Sequence, residues 1–126
     1  MNEFLLGIDH PAVAVNDADA MAEWYCDVLS FRKRAGQPGG AWLLEGPDGV
    51  FLEVMPKDAT PRPSRTTWTP GWSHLALRVR NLDEAIARLD AKGVRWTGEI
   101  GQAVGGGRLR SFTDPDGNLL QIVERA

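Results

Sequence analysis

Two stretches of the chain alternate between small or polar residues and bulky aliphatic ones, as β-strands with one buried face do. Residues 8–15 (IDHPAVAV) place His10 and two alanines on one face and two valines on the other. Residues 72–79 (WSHLALRV) place His74 and an alanine opposite bulky aliphatic residues. The chain contains 2 histidines, and both occupy the same place in this pattern. We therefore predict a duplicated strand that presents two histidines into one cavity.

The first strand is followed by one predicted helix and three predicted strands. Asp17 offers a helix cap, and apolar residues at helical spacing predict a helix over roughly 18–29. Two short antiparallel strands are predicted at 31–34 and 41–45, separated by a glycine-rich turn. A Pro-Asp-Gly turn then leads into an apolar strand at 50–55.

The same order of elements recurs after a proline-rich connector at residues 57–70. Asn81 caps a predicted helix that ends at Lys92-Gly93. The glycine-rich loop at 105–107 matches no phosphate-binding fingerprint, and we interpret it as a mobile hairpin or a lid. A second Pro-Asp-Gly turn precedes the last strand. The predicted strands after this helix cover residues 94–97, 108–112 and 118–124.

Each copy thus reads strand, helix, strand, strand, strand, and neither could bury its sheet alone. We predict an α+β fold in which both copies pair into one domain, residues 1–126. Module one covers about 5–56, the connector 57–70, and module two 71–126.

Composition and charge exclude several classes of protein. A hydrophobic content of 43% and a charged content of 25% are those of an ordinary globular domain, and no apolar run is long enough to span a membrane. The net charge of −3 argues against a nucleic-acid partner. Cys26 has no second cysteine to pair with, and the N-terminus lacks a secretion pattern, so we expect a cytoplasmic protein.

Two further polar residues interrupt apolar strands at equivalent places in the two copies. Glu53 lies in the strand at 50–55 and Gln121 in the strand at 118–124. Each of the four polar residues alone has an ordinary structural interpretation, such as a hydrogen-bonded histidine or a solvent-facing side chain. Because all four are repeat-equivalent, we predict that His10, His74, Glu53 and Gln121 bind a divalent metal.

At this point the chain resembles the vicinal oxygen chelate superfamily. That group includes glyoxalase I, extradiol dioxygenases, methylmalonyl-CoA epimerase, fosfomycin-resistance enzymes and bleomycin-resistance proteins. The motifs that carry the resemblance are Ile8–Val15, residues 24–31 (WYCDVLSF), residues 73–77 (SHLAL) and residues 114–120 (DPDGNLL).

The resemblance implies two βαβββ modules that form an incomplete eight-stranded barrel around a cleft (glyoxalase-like). It also implies a divalent metal, whether Zn, Ni, Mn, Co or Fe, at the four positions named above. The shared chemistry is chelation of adjacent substrate oxygens, with the metal acting as a Lewis acid. A homodimer is expected from the resemblance alone.

Departures from the family patterns leave the reaction open. Bacterial-type glyoxalase I, extradiol dioxygenases and fosfomycin enzymes have a glutamate where Gln121 stands, although Glu53 could complete a two-histidine, one-carboxylate set from the other module. We favour a lyase or isomerase that stabilises an enediolate, with Glu53 as both ligand and proton-transfer base. The alternatives are an Fe(II)-dependent, extradiol-like dioxygenase and a metal-free drug-binding resistance protein.

A small-molecule substrate, possibly anionic, is the expected partner. Arg78 and Arg110 are candidate anchors for an anionic group, with surface ion pairs as the alternative. Trp42, Phe51 and Phe112 are candidate pocket residues, with a place in the core as their alternative.

Overall fold

A computed structural model of the protein describes residues 4–126. Residues 1–3, the start of the predicted domain 1–126, lie outside the described residues. The chain divides into two compact units, Met1–Pro61 and Arg62–Ala126. The division falls inside the predicted connector.

The first unit contains one helix on a four-stranded sheet. Its strands follow the order β1-β4-β3-β2, with β1 parallel to β4 and the other pairs antiparallel. The elements are β1 (Ala12–Val15), α1 (Ala18–Leu29), β2 (Arg32–Gly36), β3 (Trp42–Glu45) and β4 (Phe51–Pro56).

Helix α1 begins where the sequence predicts it. The Asp17 carboxylate accepts a hydrogen bond from the backbone N–H of Ala20 at 3.0 Å, which satisfies one of the donors left free at a helix N-terminus. The helix buries Met21 and Tyr25 and packs on β3 and β4. Ser30, in the left-handed conformation with φ 63°, ends it. The predicted helix at 18–29 is confirmed.

The two faces of this sheet have different environments. Leu52 and Val54 of β4 are buried on the face that α1 covers. Phe51, Glu53 and Met55 alternate with them and are half-buried on the opposite face. We call this second face the open face of the unit.

The second unit repeats the arrangement and adds one short strand. Its sheet has the order β5-β9-β8-β6, and β7 pairs with β8. The elements are β5 (Leu75–Arg78), α2 (Leu82–Ala91), β6 (Arg95–Trp96), β7 (Gly101–Gln102), β8 (Arg108–Thr113) and β9 (Leu119–Glu124). Asn81 caps α2 by accepting the N–H of Glu84 at 2.9 Å, as the sequence predicts.

The glycine-rich loop forms a hairpin between β7 and β8. The Arg125 guanidinium donates to the carbonyls of Val104 and Gly106, so the hairpin is tied to the residues after β9. Gly107 has φ +108°, and a Cβ there would lie 2.1 Å from the carbonyl oxygen of Glu124. The predicted hairpin is confirmed, whereas its mobility stays a prediction. Strand β7 was not foreseen.

In each unit the first strand pairs in parallel with the last strand, and the register of this pair is the same in both units. Ala12 on β1 lies opposite Glu53 on β4, and Ala76 on β5 lies opposite Gln121 on β9. Neither sheet closes on itself within residues 4–126. The repeated βαβββ architecture, with open sheets, is therefore confirmed. Among residues 4–126, no helix has the length and hydropathy needed to cross a membrane.

The turn before β9 is built around a buried carboxylate. One oxygen of Asp114, whose residue is 1% exposed, accepts the N–H groups of Asp116 and Asn118, and the other accepts the Asn118 side-chain amide at 2.8 Å. The equivalent position in the first unit is Gly46. A Cβ there would lie 3.1–3.2 Å from atoms of Asp48, Phe31 and Val50, which leaves no room for a side chain unless they shift.

Replacing Asp114 with alanine should lower the free energy of unfolding by about 2–3 kcal/mol, because three hydrogen bonds to this buried carboxylate would be lost from partly buried donors. The control is Asp48→Ala in the first unit, where one exposed hydrogen bond to the N–H of Val50 is lost. That change should cost less than about 1 kcal/mol. Urea denaturation followed by circular dichroism measures both. Equal losses for the two variants would contradict the role given to Asp114.

Candidate metal centre

The segment before β1 continues the pairing with β4 and thereby positions His10. The N–H of Phe51 donates to the carbonyl of Asp9 at 3.3 Å, and the N–H of Glu53 donates to the carbonyl of Pro11 at 3.0 Å. His10 lies between these two contacts. Side chains alternate along an extended segment, so His10 is on the same face as Ala12, the open face that carries Glu53.

The imidazole ring of His10 lies between two carboxylates. Its Nδ1 is 2.7 Å from Oδ2 of Asp9, and its Nε2 is 3.4 Å from Oε1 of Glu53. The side chains of His10 and Glu53 are about one-third exposed, at 36% and 33%, whereas that of Asp9 is 79% exposed. The site is thus open to solvent on one side.

These carboxylates change the protonation of His10. The hydrogen bond that His10 donates to the Asp9 carboxylate raises the pKa of His10 above its ordinary value, and the negative charges of Asp9 and Glu53 add to this, against a partial loss of hydration. When the ring is neutral and Nδ1 carries the proton, the Nε2 lone pair faces the Glu53 carboxylate. Two acceptors at this distance repel unless a cation lies between them, and that cation is either a proton or a metal ion.

The spacing of the two atoms fits a shared metal ion. Ligand atoms bound to one tetrahedral ion at about 2.0–2.2 Å lie about 3.3–3.6 Å from each other. The separation of 3.4 Å between Nε2 and Oε1 falls in this range. A nitrogen and a carboxylate oxygen are also donors that divalent transition metals accept. His10 and Glu53 can therefore serve as two ligands from the first unit.

The second unit places His74 and Gln121 in the same relation along its strands. His74 stands two residues before Ala76, which lies opposite Gln121, just as His10 stands two residues before Ala12 opposite Glu53. Gln121 is half-buried at the middle of β9, and His74 is exposed. The His74 Nδ1 lies 2.9 Å from the hydroxyl of Ser73. His74 and Gln121 thus offer a nitrogen and an oxygen ligand on one face of the second sheet.

Of the three aromatic candidates, one lies on an open face. Phe51 is half-buried two residues before Glu53 on the same face of β4. Trp42 lies on the face that α1 covers, where its indole N–H donates to Asp19 at 2.8 Å. Phe112 is fully buried against Trp96, with ring centroids 5.5 Å apart. Trp42 and Phe112 therefore pack structural elements together, which is the alternative that the sequence left open.

The two arginine candidates lie on opposite faces of the second sheet. Arg78 is exposed on the face of Ala76 and Gln121. Arg110 lies opposite Ile122, with its guanidinium 4.3 Å above the ring of Trp96, and its Nε donates to the carbonyl of Gly98 at 2.9 Å. Arg110 is thus engaged on the face of Phe112, and Arg78 is the one available to a ligand near Gln121.

Two groups of residues that contact or adjoin the candidate site residues were missed by sequence reasoning. Asp9 and Ser73 stand immediately before the two histidines and contact their Nδ1 atoms, and their repeat-equivalent position was the signal that could have found them. In the first unit, Arg32 and Arg34 each approach Oε1 of Glu45 at 3.7 Å. With Lys33 and Phe51 these residues line an open depression of about 430 Å³.

Comparisons with known proteins agree with this architecture. A sequence model of the Glyoxalase/Bleomycin resistance protein/Dioxygenase superfamily matches residues 7–122. The protein YaeR of Escherichia coli (strain K12) is 29% identical over 125 residues, which cover 94% of this chain and 95% of YaeR.

Two solved structures share the fold at low sequence identity. One is a mutant of the fosfomycin resistance protein FosX from Listeria monocytogenes, in complex with Mn(II) and 1S,2S-dihydroxypropylphosphonic acid. It has a TM-score of 0.74 and 18% identity, and the match covers 97% of this chain and 92% of FosX. The other is lactoylglutathione lyase from Agrobacterium tumefaciens, with a TM-score of 0.74, 20% identity and coverage of 95% and 94%.

In metal-free protein, Asp9→Asn should lower the pKa of His10, because the largest stabilisation of its imidazolium form comes from the Asp9 carboxylate. Glu53→Gln should lower the same pKa by less. NMR titration of the His10 ring protons measures both shifts. Asp58→Asn, beyond the far end of β4, is the charge-matched control and should leave the pKa unchanged. A larger effect of Glu53→Gln than of Asp9→Asn would contradict this arrangement.

Proposed function

The chain belongs to the Glyoxalase/Bleomycin resistance protein/Dioxygenase superfamily, and on this basis we propose that it is a metal-dependent lyase or isomerase acting on a small oxygenated substrate. The observation that carries the proposal is the approach of His10 Nε2 to Glu53 Oε1 at 3.4 Å on an open sheet face. A protonated Nε2 can donate to the Glu53 carboxylate at this distance, and the same spacing suits the two atoms as ligands of one divalent metal.

The proposed ligands are His10, Glu53, His74 and Gln121. Within each unit a histidine stands two residues before the alanine of the first strand that lies opposite the oxygen ligand on the last strand. A divalent ion held there would supply Lewis-acid polarisation of adjacent substrate oxygens. The identity of the metal, among Zn, Ni, Mn, Co and Fe, stays open.

Glu53 is the proposed proton-transfer base. Its side chain is one-third exposed and lies between Phe51 and Met55 on β4, opposite Ala12 and Leu43 on the neighbouring strands. These apolar neighbours leave its carboxylate few competing hydrogen-bond donors, so it is available to take a proton from the carbon next to a substrate carbonyl. His10 orients the carboxylate from the side of β1.

An anionic group on the substrate is part of the proposal. FosX was crystallised with a dihydroxylated phosphonic acid, which combines adjacent oxygens with a negative charge. In this chain Arg78 lies on the face of Gln121, and Arg32 and Arg34 line the depression beside Phe51. Each of these guanidinium groups can donate hydrogen bonds to a carboxylate or phosphonate.

We also propose that the protein forms a homodimer. Four of the five residues at 4–8 are large apolar residues with exposed side chains, which is more than a scattered surface residue. A second copy is the simplest partner that would cover them. Analytical ultracentrifugation measures the mass directly. The expected cytoplasmic location stays a prediction.

Protein freed of metal with a chelator should bind one divalent ion per ligand set, as measured by calorimetric titration with Zn²⁺ and Mn²⁺. Glu53→Gln and His74→Ala should each weaken binding by at least about tenfold, since even outer-shell changes cost that much. Glu45→Gln is the matched control, because Glu45 lies on the same open face opposite Phe51. A wild-type protein that binds no metal would refute the proposal.

With saturating metal, the wild-type protein should exchange the proton next to the carbonyl of small keto and hydroxy acids for deuterium in D₂O, which NMR detects. Glu53→Gln should reduce this exchange by about 10²–10⁴-fold if Glu53 is the base. Oxygen consumption with Fe(II) and a catechol, without proton exchange, would instead support the dioxygenase alternative. Binding of such compounds with neither reaction would support the drug-binding one.

A further inference from the structure

We infer that Asp9 is a positioning residue that holds His10 in the tautomer with its proton on Nδ1, so that the Nε2 lone pair is directed at Glu53. The inference rests on the proposed function, because the purpose of this tautomer is to make Nε2 a metal ligand. The sequence pattern and the superfamily match assign no role to Asp9.

The chemistry of the contact determines the tautomer. An ionised carboxylate has acceptor atoms only, so a neutral imidazole whose Nδ1 lies 2.7 Å from Oδ2 of Asp9 must carry its proton on that nitrogen. The opposite nitrogen, Nε2, is then unprotonated and 3.4 Å from Oε1 of Glu53. Carboxylate contacts of this kind orient histidine ligands in metal sites and increase their basicity.

The backbone holds Asp9 in place for this contact. Its carbonyl accepts the N–H of Phe51 on β4 at 3.3 Å, so the residue is aligned with the strand that carries Glu53. Asp9 and Glu53 thus approach His10 from opposite sides of its ring while anchored to the same strand. The 79% exposure of the Asp9 side chain means that water competes for the contact. Loss of Asp9 should therefore weaken metal affinity by about tenfold, the lower end of the range of about 10–100-fold for partners of metal-binding histidines.

The equivalent residue in the second unit provides an internal comparison. Ser73 also stands directly before a histidine, and its hydroxyl lies 2.9 Å from Nδ1 of His74. A hydroxyl can either donate or accept, so this contact is compatible with both tautomers of His74. The first unit is therefore pre-organised for metal binding by a charge, whereas the second unit is not.

The alternative is an ordinary surface ion pair between Asp9 and a protonated His10. The two explanations differ in what they predict for the neutral ring. An ion pair then loses its attraction, and the tautomers mix. A positioning carboxylate keeps the proton on Nδ1, because it accepts from the neutral ring as well.

The test uses ¹⁵N-histidine labelling of the full chain, in which the 2 histidines give few signals to assign. Nitrogen shifts of metal-free protein, recorded at a pH where the shifts themselves show a neutral His10 ring, report the tautomer, and calorimetry with Zn²⁺ at the same pH reports the affinity. In wild-type protein, His10 should be protonated on Nδ1. In Asp9→Ala the tautomers should mix, and the Kd for Zn²⁺ should rise about tenfold.

Three further variants separate positioning from general effects. Asp9→Asn keeps an acceptor oxygen and should restore most of the Nδ1 tautomer and part of the affinity. Ser73→Ala should change the Kd less than Asp9→Ala does. Asp58→Asn removes one negative charge at the far end of β4 and should change neither quantity.

The outcomes distinguish the two levels of the proposal. If wild-type protein binds Zn²⁺ and Asp9→Ala leaves both the tautomer and the Kd unchanged, the inference is wrong and the proposed function stands. An equal loss of affinity in Asp58→Asn would likewise overturn the inference, since charge alone would then explain the effect. If wild-type protein binds no divalent metal, the proposed function fails and the inference fails with it.

Discussion

Parallel pairing between the first and last strands of each unit is the constraint on which the candidate site depends. In the first unit it brings the segment that contains His10 beside the strand that contains Glu53, and the same register in the second unit sets Ala76 opposite Gln121. Parallel neighbours need a long crossover, and here it consists of a helix with two intervening strands in the first unit and three in the second. The pairing of the first strand with the last thus determines which side chains share one face of each sheet. Helix α1 or α2 covers the opposite face.

Much of this arrangement could be predicted from the sequence because it follows from periodicity. Apolar spacing and the Asp17 and Asn81 caps locate both helices, since these signals act over a few residues. The equivalence of Glu53 with Gln121 follows from two repeated turns. The order of helices and strands and the equivalence of positions in the two units could therefore be predicted from the sequence.

Other features depend on contacts that no local pattern encodes. Strand β7 has only two residues and exists because β8 offers it a partner. Trp42 was a candidate pocket residue and Arg110 a candidate anchor for an anionic group because their residue types suit these roles. The pleat nevertheless places Trp42 on the face of the first sheet that α1 covers, and Arg110 on the face of the second sheet that carries Phe112. The Asp9 contact depends on a side-chain rotamer. The sequence shows which chemical groups are present, but it does not show the face of the sheet on which each side chain lies.

The turns before β4 and β9 show how far two similar halves have diverged. Both carry Pro-Asp-Gly, but the second is organised by the buried Asp114, whereas the first has Gly46 packed tightly against Phe31 and the Val50 carbonyl. An aspartate at position 46 would displace those neighbours. A glycine at position 114 would leave the N–H groups of Asp116 and Asn118 without their carboxylate acceptor. The halves are thus no longer interchangeable parts. Chimeras that exchange these turns would place each turn among neighbours that do not fit it, so the two turns are not exchangeable despite their shared Pro-Asp-Gly sequence.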